Sequence, residues 1–480
     1  MKILFLISEV EDIIKTGGLA DVGKALPLAL TERGHDIKII LPFYKQISDS
    51  MGAGANLIEA MPEQDIRIHQ QHYQFCVKQL SLHGLDVYLI DHAYFSDNAT
   101  PYSEEASANA QRFAFFSLAA LKVANELNFK PDVVHTHDWH TAIANYFVKS
   151  DFIGRHNILA DATFFHQTKT LITLHNAAFQ GVCALSRVPL IDEQSYFQIS
   201  TDNGYINLLK TGILYADHIC PVSPSYAEEI KSYIGSHGIF DVINLAPEKV
   251  RGVLNGCDYS QWDPASDPLI PANFSLANMA GKAVCKTKLQ KDAGLASLKS
   301  VPLFGMVCRA TQQKGFGYLM PILNELLTHK VQLVIMGTGD VSITKSLRDI
   351  AQAHPKQFAF IEAFSPEWAH LIEAGSDFFL MPSEFEPCGL NQMYSLAYGT
   401  LPVVRKVGGL ADTVVDASDE HGTGFVFCDP SPDALLSALR RVLLLNKEQT
   451  KLLAAMRERA MKTRFTWSQA ALEYEQIYNQ

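Results

Sequence analysis

The chain contains no apolar stretch approaching the roughly 20 residues that a membrane-spanning helix needs, no CxxC pair, no long run of lysine or arginine and no low-complexity segment. Each absence removes a class of protein. Its eight cysteines, at 76, 183, 220, 257, 285, 308, 388 and 428, are scattered too widely for a disulfide framework and suit a reducing, intracellular setting. Lysine and arginine number 40 against 51 aspartates and glutamates, a formal charge of −11, so nucleic acid and anionic membrane are poor partners. A small anion held by a few local cations, or a neutral polymer, fits better. The apolar start Lys2–Ser8 runs straight into Glu9, Glu11 and Asp12 with no small-residue cleavage site, so it reads as a buried first strand rather than a secretion signal, and the expected location is the cytoplasm.

What the chain does have is length, 480 residues of which 48% are hydrophobic, enough for two cores. It also holds one heptapeptide almost twice: Lys15-Thr16-Gly17-Gly18-Leu19-Ala20-Asp21 near the start and Lys406-Val407-Gly408-Gly409-Leu410-Ala411-Asp412 near the end. Each copy sets a lysine and two glycines where a strand gives way to a helix, a corner at which backbone N–H groups and a cation can meet an anion.

Short β-branched runs at 2–8, 36–41, 86–91, 132–136, 170–174 and 218–222 alternate with helical spacing at 18–33, 110–126, 139–149 and 224–234. The pattern returns with strands near 302–307, 331–336, 357–361 and 377–381 and helices near 315–328, 341–353, 366–375 and 389–398, and residues 431–478 read as closing helices. Such alternation predicts α/β architecture, two Rossmann-like domains with mostly parallel sheets. The expected division is 1–245, 246–460 and a final segment 461–480, with the Pro- and Asn-rich stretch 257–279 as a surface loop.

Open parallel sheets bind ligands at the carboxyl ends of their strands, and the chemically suggestive residues fall there. Arg309 and Lys314 sit in one strand-to-helix loop, where two cations could neutralise a diphosphate. Glu386, Cys388, Gly389 and Leu390 follow the strand ending in Met381-Pro382, and His175-Asn176 follows Leu171–Leu174. The cluster His135-Thr136-His137-Asp138-Trp139-His140 admits two readings. One is a metal-dependent hydrolase using His137, Asp138 and His140, although the Asp-His pair is displaced by one position from the usual ligand spacing. In the other, Asp138 and His140 flank a sugar site and Trp139 packs or stacks on it. His135 reads as a core histidine, Cys388 as a packing residue and Gly337-Thr338-Gly339-Asp340 as a lone glycine turn.

The motifs KTGGLAD (15–21), PDVVHTHDWH (131–140), LHNAAFQG (174–181), GVLNGCD (252–258), RATQQKG (309–315), FEPCGL (385–390) and GTLPVVRKVGGLADTV (399–414) together resemble the bacterial glycogen synthase and plant starch synthase family, from residue 1 to about 475. The resemblance implies a glycosyltransferase B fold, two Rossmann-like domains facing across a cleft, with a C-terminal helix returning to the first domain. It implies retaining transfer of glucose from ADP-glucose to the non-reducing end of an α-1,4-glucan, with no metal and no cofactor. Asp138, His175, Arg309, Lys314 and Glu386 would then be catalytic. Lys15, Gly18, Asn255, Cys388, Gly389, Leu390, Gly408 and Gly409 would contact the donor, and Trp139 and Tyr102 the acceptor. Three positions depart from the pattern: Glu384 stands for an arginine, Cys257 for a valine and Ala108 for an aspartate. Where related transferases place a second glutamate eight residues after Glu386, this chain has Tyr394. A glucan-binding scaffold without activity is the remaining alternative, and donor nucleotide and oligomeric state stay open.

Overall fold

The structure is a computed structural model; it describes residues 1–480 except 52–56, 99, 104, 192–200 and 203. The chain forms two compact units, Met1–Asn255 with Trp467–Gln480, and Gly256–Thr466.

The first unit is built on strands β1 (Lys2–Leu6), β2 (Asp36–Pro42), β3 (Ile58–Ile68), β4 (Gln71–Leu82), β5 (Leu85–Asp91), β6 (Val133–His137) and β7 (Lys169–Leu174), a small antiparallel sheet of β8 (Val182–Ala184), β9 (Thr201–Asp202) and β10 (Tyr205–Asn207), and β11 (His218–Pro221). The main sheet runs β11-β7-β6-β1-β2-β5-β4-β3, parallel except for the antiparallel β3–β4 hairpin at its edge. β1 is sandwiched on both faces, so Ile3, Leu4, Phe5 and Leu6 are fully buried, as a central parallel strand demands.

The second unit holds β12 (Leu303–Val307), β13 (Gln332–Met336), β14 (Phe358–Ile361), β15 (Phe378–Met381), β16 (Leu401–Arg405) and β17 (Phe425–Phe427) in the order β14-β13-β12-β15-β16-β17, all parallel. With the hairpin set aside, both sheets share one order, 3-2-1-4-5-6, and in each the direction of winding reverses between its first and fourth strands. That switch point lies between β1 and β6 in one unit and between β12 and β15 in the other.

Several expectations need correction. The first unit extends to Asn255, not 245, because Arg251 N–H donates to Ile219 O (2.9 Å) and Val253 N–H to Pro221 O (3.0 Å), carrying the chain along β11. The helix expected over 224–234 ends at Glu229, where the Ser232 hydroxyl turns back to Glu229 O (2.7 Å). The stretch 257–279 is a surface loop, with Gln261, Leu269, Pro271 and Leu276 exposed, but packed side chains pin it down. Its Trp262 ring is sandwiched between His370 (3.8 Å) and Tyr394 (3.9 Å), and its Asp267, 2% exposed, accepts from His370 Nδ1 (2.8 Å) and Tyr398 Oη (2.5 Å). Tyr394 therefore serves packing.

The last helix, Trp467–Tyr478, belongs to the first unit and packs against the helix Gly18–Glu32. Its buried face carries Trp467, Ala470, Ala471, Tyr474, Ile477 and Tyr478, and its tyrosines reach the centre of the sheet: Tyr478 Oη lies 2.8 Å from His135 Nδ1 and Tyr474 Oη 3.3 Å from Thr173 Oγ1. Among the described residues no helix is long and apolar enough to cross a membrane. Each large apolar side chain in such a face contributes about 1.5–3 kcal/mol, so losing four of them approaches a domain's whole stability of ~5–15 kcal/mol. Truncation after Thr466 is expected to abolish the first unit's calorimetric transition and leave the second unit's within a few degrees; two unchanged transitions would contradict this packing account.

Candidate active site

The two switch points collect most of the residues singled out in the sequence. In the first unit the loop after β1 carries Glu9 to Gly18, and Asp138 follows β6 directly. The KTGG loop is organised around an internal anion. Glu9, 3% exposed, accepts from Thr16 N–H (2.5 Å), Gly17 N–H (3.1 Å), Thr16 Oγ1 (2.5 Å) and Tyr102 Oη (2.5 Å). Two of the amides expected to face a phosphate are therefore occupied by this carboxylate. Gly18, exposed at the first position of a 15-residue helix, has no backbone N–H acceptor among the described residues, so its amide is available to an external anion. Lys15 Nζ bridges Glu11 and Asp21 at 2.8 Å each and remains 40% exposed.

Asp138 adopts a left-handed backbone, φ 53°, at the strand-to-helix corner, a conformation uncommon outside glycine that aspartate and asparagine tolerate better than most residues. Its Oδ1 accepts from the backbone N–H of His175 (2.7 Å) and Asn176 (3.3 Å), which ties the end of β6 to the loop after β7. Burial pushes its carboxyl up to about 7, against the lowering pull of those two amides. His175 Nε2 lies 3.0 Å from His137 Nδ1, and burial holds His175 down to about 3, a neutral ring. Gln180 was not among the candidates, yet its side chain braces this loop, donating to Ala177 O (2.9 Å) and His237 O (2.7 Å) and accepting from Asn207 Nδ2 (2.6 Å).

The metal reading does not survive this geometry. Asp138 is engaged with backbone amides, the His140 ring lies against Trp139 (4.2 Å) and Phe113 (4.8 Å), and among the described residues no group of three or more His, Cys, Asp or Glu converges as a ligand set. Trp139 is 7% exposed, edge-on to Phe113 and seated over Gly181, so it offers no open face to a sugar. Tyr102 is half-buried with its hydroxyl on Glu9 and Ser8 (3.0 Å). Neither expected acceptor contact is disposed to meet a polymer; both shape the loops behind the site.

In the second unit Arg309 is exposed and its guanidinium has no hydrogen-bond or ion-pair partner among the described residues. Lys314 Nζ instead pairs with Glu386 Oε2 at 2.7 Å, and Ser383 Oγ donates to the same oxygen (3.0 Å). The glycine turn 337–340 acquires a role: Ala310 N–H donates to Thr338 O (2.9 Å) and Asp340 N–H to Ala310 O (2.8 Å), so it braces the Arg309 loop from β13. After β15, Gly389 (φ 76°) and Leu390 lead into the helix Asn391–Ala397, and their N–H groups have no acceptor among the described residues.

The second heptapeptide copy works differently from the first. An added Cβ on Gly408 would lie 2.1 Å from Glu386 O, one on Gly409 2.1 Å from Cys388 O, and Gly409 N–H already donates to Glu386 O (3.1 Å). These glycines let two backbones touch, which sets the Glu386–Leu390 loop; Gly409 has no amide left for a phosphate. Glu384 turns from Lys314 and accepts from Tyr318 Oη (2.6 Å), while Arg405 donates to Ser383 O (2.9 Å) and to Glu384 O. Asn255 is buried with its Oδ1 unpartnered among the described residues, and Cys388 is buried. Phe364, just past β14 and 87% exposed, is an aromatic surface at the same sheet edge that the sequence patterns did not flag.

Residues 2–244 match the family described as starch synthase catalytic domain, and residues 289–463 match glycosyl transferases group 1. The chain is 48% identical to a glycogen synthase of Aeromonas salmonicida, with all of this chain and 98% of that protein covered, and 42% identical to one of Photobacterium profundum, covering 100% and 94%. The chain belongs to the glycogen and starch synthase family. Among solved structures, the catalytic domain of starch synthase IV from Arabidopsis thaliana, bound to ADP and acarbose, superposes with a TM-score of 0.89 at 29% identity over 100% of this chain and 98% of that one. A sucrose-phosphate synthase from Thermosynechococcus elongatus, TM-score 0.61 at 16% identity, shares the fold. The family's two-domain glycosyltransferase B fold, and its hexosyltransferase character, are those of this chain.

Because the Asp138 carboxyl rises from its unfolded value of 3.8 to about 7, its ionisation opposes folding: the penalty is absent below pH 3.8, grows between those values and is complete above about 7. Asp138→Asn keeps the acceptor for both amides and tolerates the same backbone. Its melting temperature is expected to exceed wild type by several degrees at pH 8, with the gap closing near pH 4, while turnover falls at least ~100-fold. A gap independent of pH would contradict this.

Proposed function

We propose that the chain is a glycogen synthase that transfers glucose from ADP-glucose to the non-reducing end of an α-1,4-glucan with retention at the anomeric carbon. The observation that carries this reading is the exposed guanidinium of Arg309, without a partner among the described residues and in the same loop as Lys314, on the same sheet edge as the amides of Gly389 and Leu390. Fixed positive charge and preoriented amides are what a departing diphosphate requires. The starch synthase IV catalytic domain solved with ADP and acarbose bound supports a nucleoside diphosphate as one of the ligands.

In this reading Arg309, Lys314 and the Gly389–Leu390 amides hold the diphosphate, while Lys15 and the Gly18 amide of the first unit are phosphate-binding groups of the same kind. Asp138 and His175 serve the sugar near its reacting carbon. The glucosyl–phosphate bond breaks, the acceptor's 4-hydroxyl oxygen bonds the same face of the carbon, and its proton passes to the departing phosphate oxygen. We assign no nucleophile among the residues that serve the sugar. Exclusion of water from the loaded site would favour transfer over hydrolysis. None of the eight cysteines forms a disulfide, in keeping with a reducing cytoplasm, where we place the reaction.

The two cations should respond differently to removal. Arg309→Ala is expected to lower turnover by about 10²–10³ with stability unchanged within about 0.5 kcal/mol. Lys314→Ala should lower turnover similarly and also cost about 3–5 kcal/mol, since it leaves Glu386 buried without its partner. Steady-state release of ADP from ADP-glucose with glycogen, alongside thermal melts, reads both; normal turnover in either variant would overturn the assignment. A chelator should leave turnover unchanged, and its loss would revive a metal-dependent reading.

A further inference from the structure

His137 is the last residue of β6, fully buried, one position before Asp138. Its N–H donates to Thr141 Oγ1 (2.6 Å) and its carbonyl accepts from the same hydroxyl (3.0 Å), so the strand end is strapped to the helix it opens. The ring is walled by Phe5 and His135, with centroids at 4.3 and 4.2 Å. One ring nitrogen, Nδ1, faces His175 Nε2 at 3.0 Å; the other, Nε2, is buried and has no partner among the described residues.

A hydrogen bond between two neutral imidazoles carries one proton, and two arrangements are possible. If His175 Nε2–H donates, His137 must hold its own proton on Nε2, a buried N–H with no acceptor. If His137 Nδ1–H donates, its Nε2 is a bare lone pair, and His175 carries its proton on Nδ1. Orphaned buried N–H groups are the rarer of the two kinds of unsatisfied polar atom in native proteins, so the second arrangement is favoured. A charged ring at either position is opposed by burial, which lowers both histidines, with His135 and His175 adding to the effect at His137.

We infer that His137 is a positioning residue that fixes His175 as the Nδ1–H tautomer. His175 is part-exposed and its Nδ1 has no partner among the described residues, so that nitrogen is a hydrogen-bond donor directed away from His137. On the reading that His175 faces the transferred sugar, it donates to a sugar oxygen and does not act as a base through that atom. The His137–His175 contact thus decides what kind of hydrogen bond the sugar receives.

The test uses the full chain labelled with ¹⁵N-histidine, without ligand, and two-bond proton–nitrogen correlation of the rings, with His175→Gln assigning the signals. Expected is a His175 ring protonated at Nδ1 and bare at Nε2, unchanged from pH 6 to 8; protonation at Nε2 overturns the inference. This measurement stands whether or not the protein turns over ADP-glucose, so it fails separately from the functional reading. Kinetically, His137→Asn places an amide donor near the lost Nδ1 and should retain activity, whereas His137→Leu in a folded protein should lose about tenfold in kcat/KM for the sugar donor, the scale of one hydrogen bond. Equal impairment of the two variants would also overturn it.

Discussion

A buried glutamate at each switch point organises the loop beside it, and the rest of each loop depends on that placement. Glu9 gathers the Thr16 and Gly17 amides and the Thr16 and Tyr102 hydroxyls; Glu386 holds Lys314 and Ser383. A carboxylate withdrawn from water is costly unless its oxygens are met by donors, so each loop is held in the shape that supplies them. Once Glu9 has taken two amides, the next one, on Gly18, stands at the helix N-terminus with no acceptor among the described residues. Once Glu386 has taken Lys314, Arg309 is left as the exposed guanidinium. The unoccupied groups follow from the occupied ones.

Around these anchors the protein uses backbone contact where side chains would be too large. Gly408 and Gly409 bring one loop within touching distance of Glu386 and Cys388, and the 337–340 turn presses on Ala310. In the first unit the equivalent bracing comes from polar side chains: Asp138 on the amides of residues 175 and 176, Gln180 across three segments, and the tyrosines of the last helix on His135 and Thr173. That helix places hydroxyls two residues behind His137 and His175 on their own strands. It therefore acts as a support for those two strand ends as well as a cover for apolar surface.

Much of the fold was legible in the chain, since buried parallel strands are short β-branched runs that nothing else imitates well. β1, β2, β5, β6, β7 and β11, and β12 to β15, all lie where periodicity placed them. What escaped was the half-exposed β3–β4 hairpin, whose polar composition hides its register, and β16 and β17, which follow motif residues that drew attention to chemistry. In the loop 257–279 the packed anchors Trp262 and Asp267 escaped, because Pro, Asp and Asn mark turns whether a turn is solvated or packed. At the site, the positions of Asp138, His175, Arg309, Lys314 and Glu386 could be read from strand ends. Their internal partners could not: Glu9 with the KTGG loop and His137 with His175 are hydrogen bonds between atoms, and no spacing rule encodes them. The repeated heptapeptide was the most instructive case. The same letters make an amide cradle around Glu9 in one copy and a backbone-to-backbone seam in the other, because the strand that precedes each copy occupies a different place in its sheet.

Amide hydrogen exchange along residues 15–20, in the ligand-free protein and after addition of ADP, tests the central claim most directly. The account predicts that Thr16 and Gly17 exchange slowly in both states because Glu9 holds them, while Gly18 exchanges rapidly until the nucleotide arrives and is then protected. Rapid exchange of all three amides in the free protein, slowed together by ADP, would show that the nucleotide rather than Glu9 organises the loop, and would contradict it.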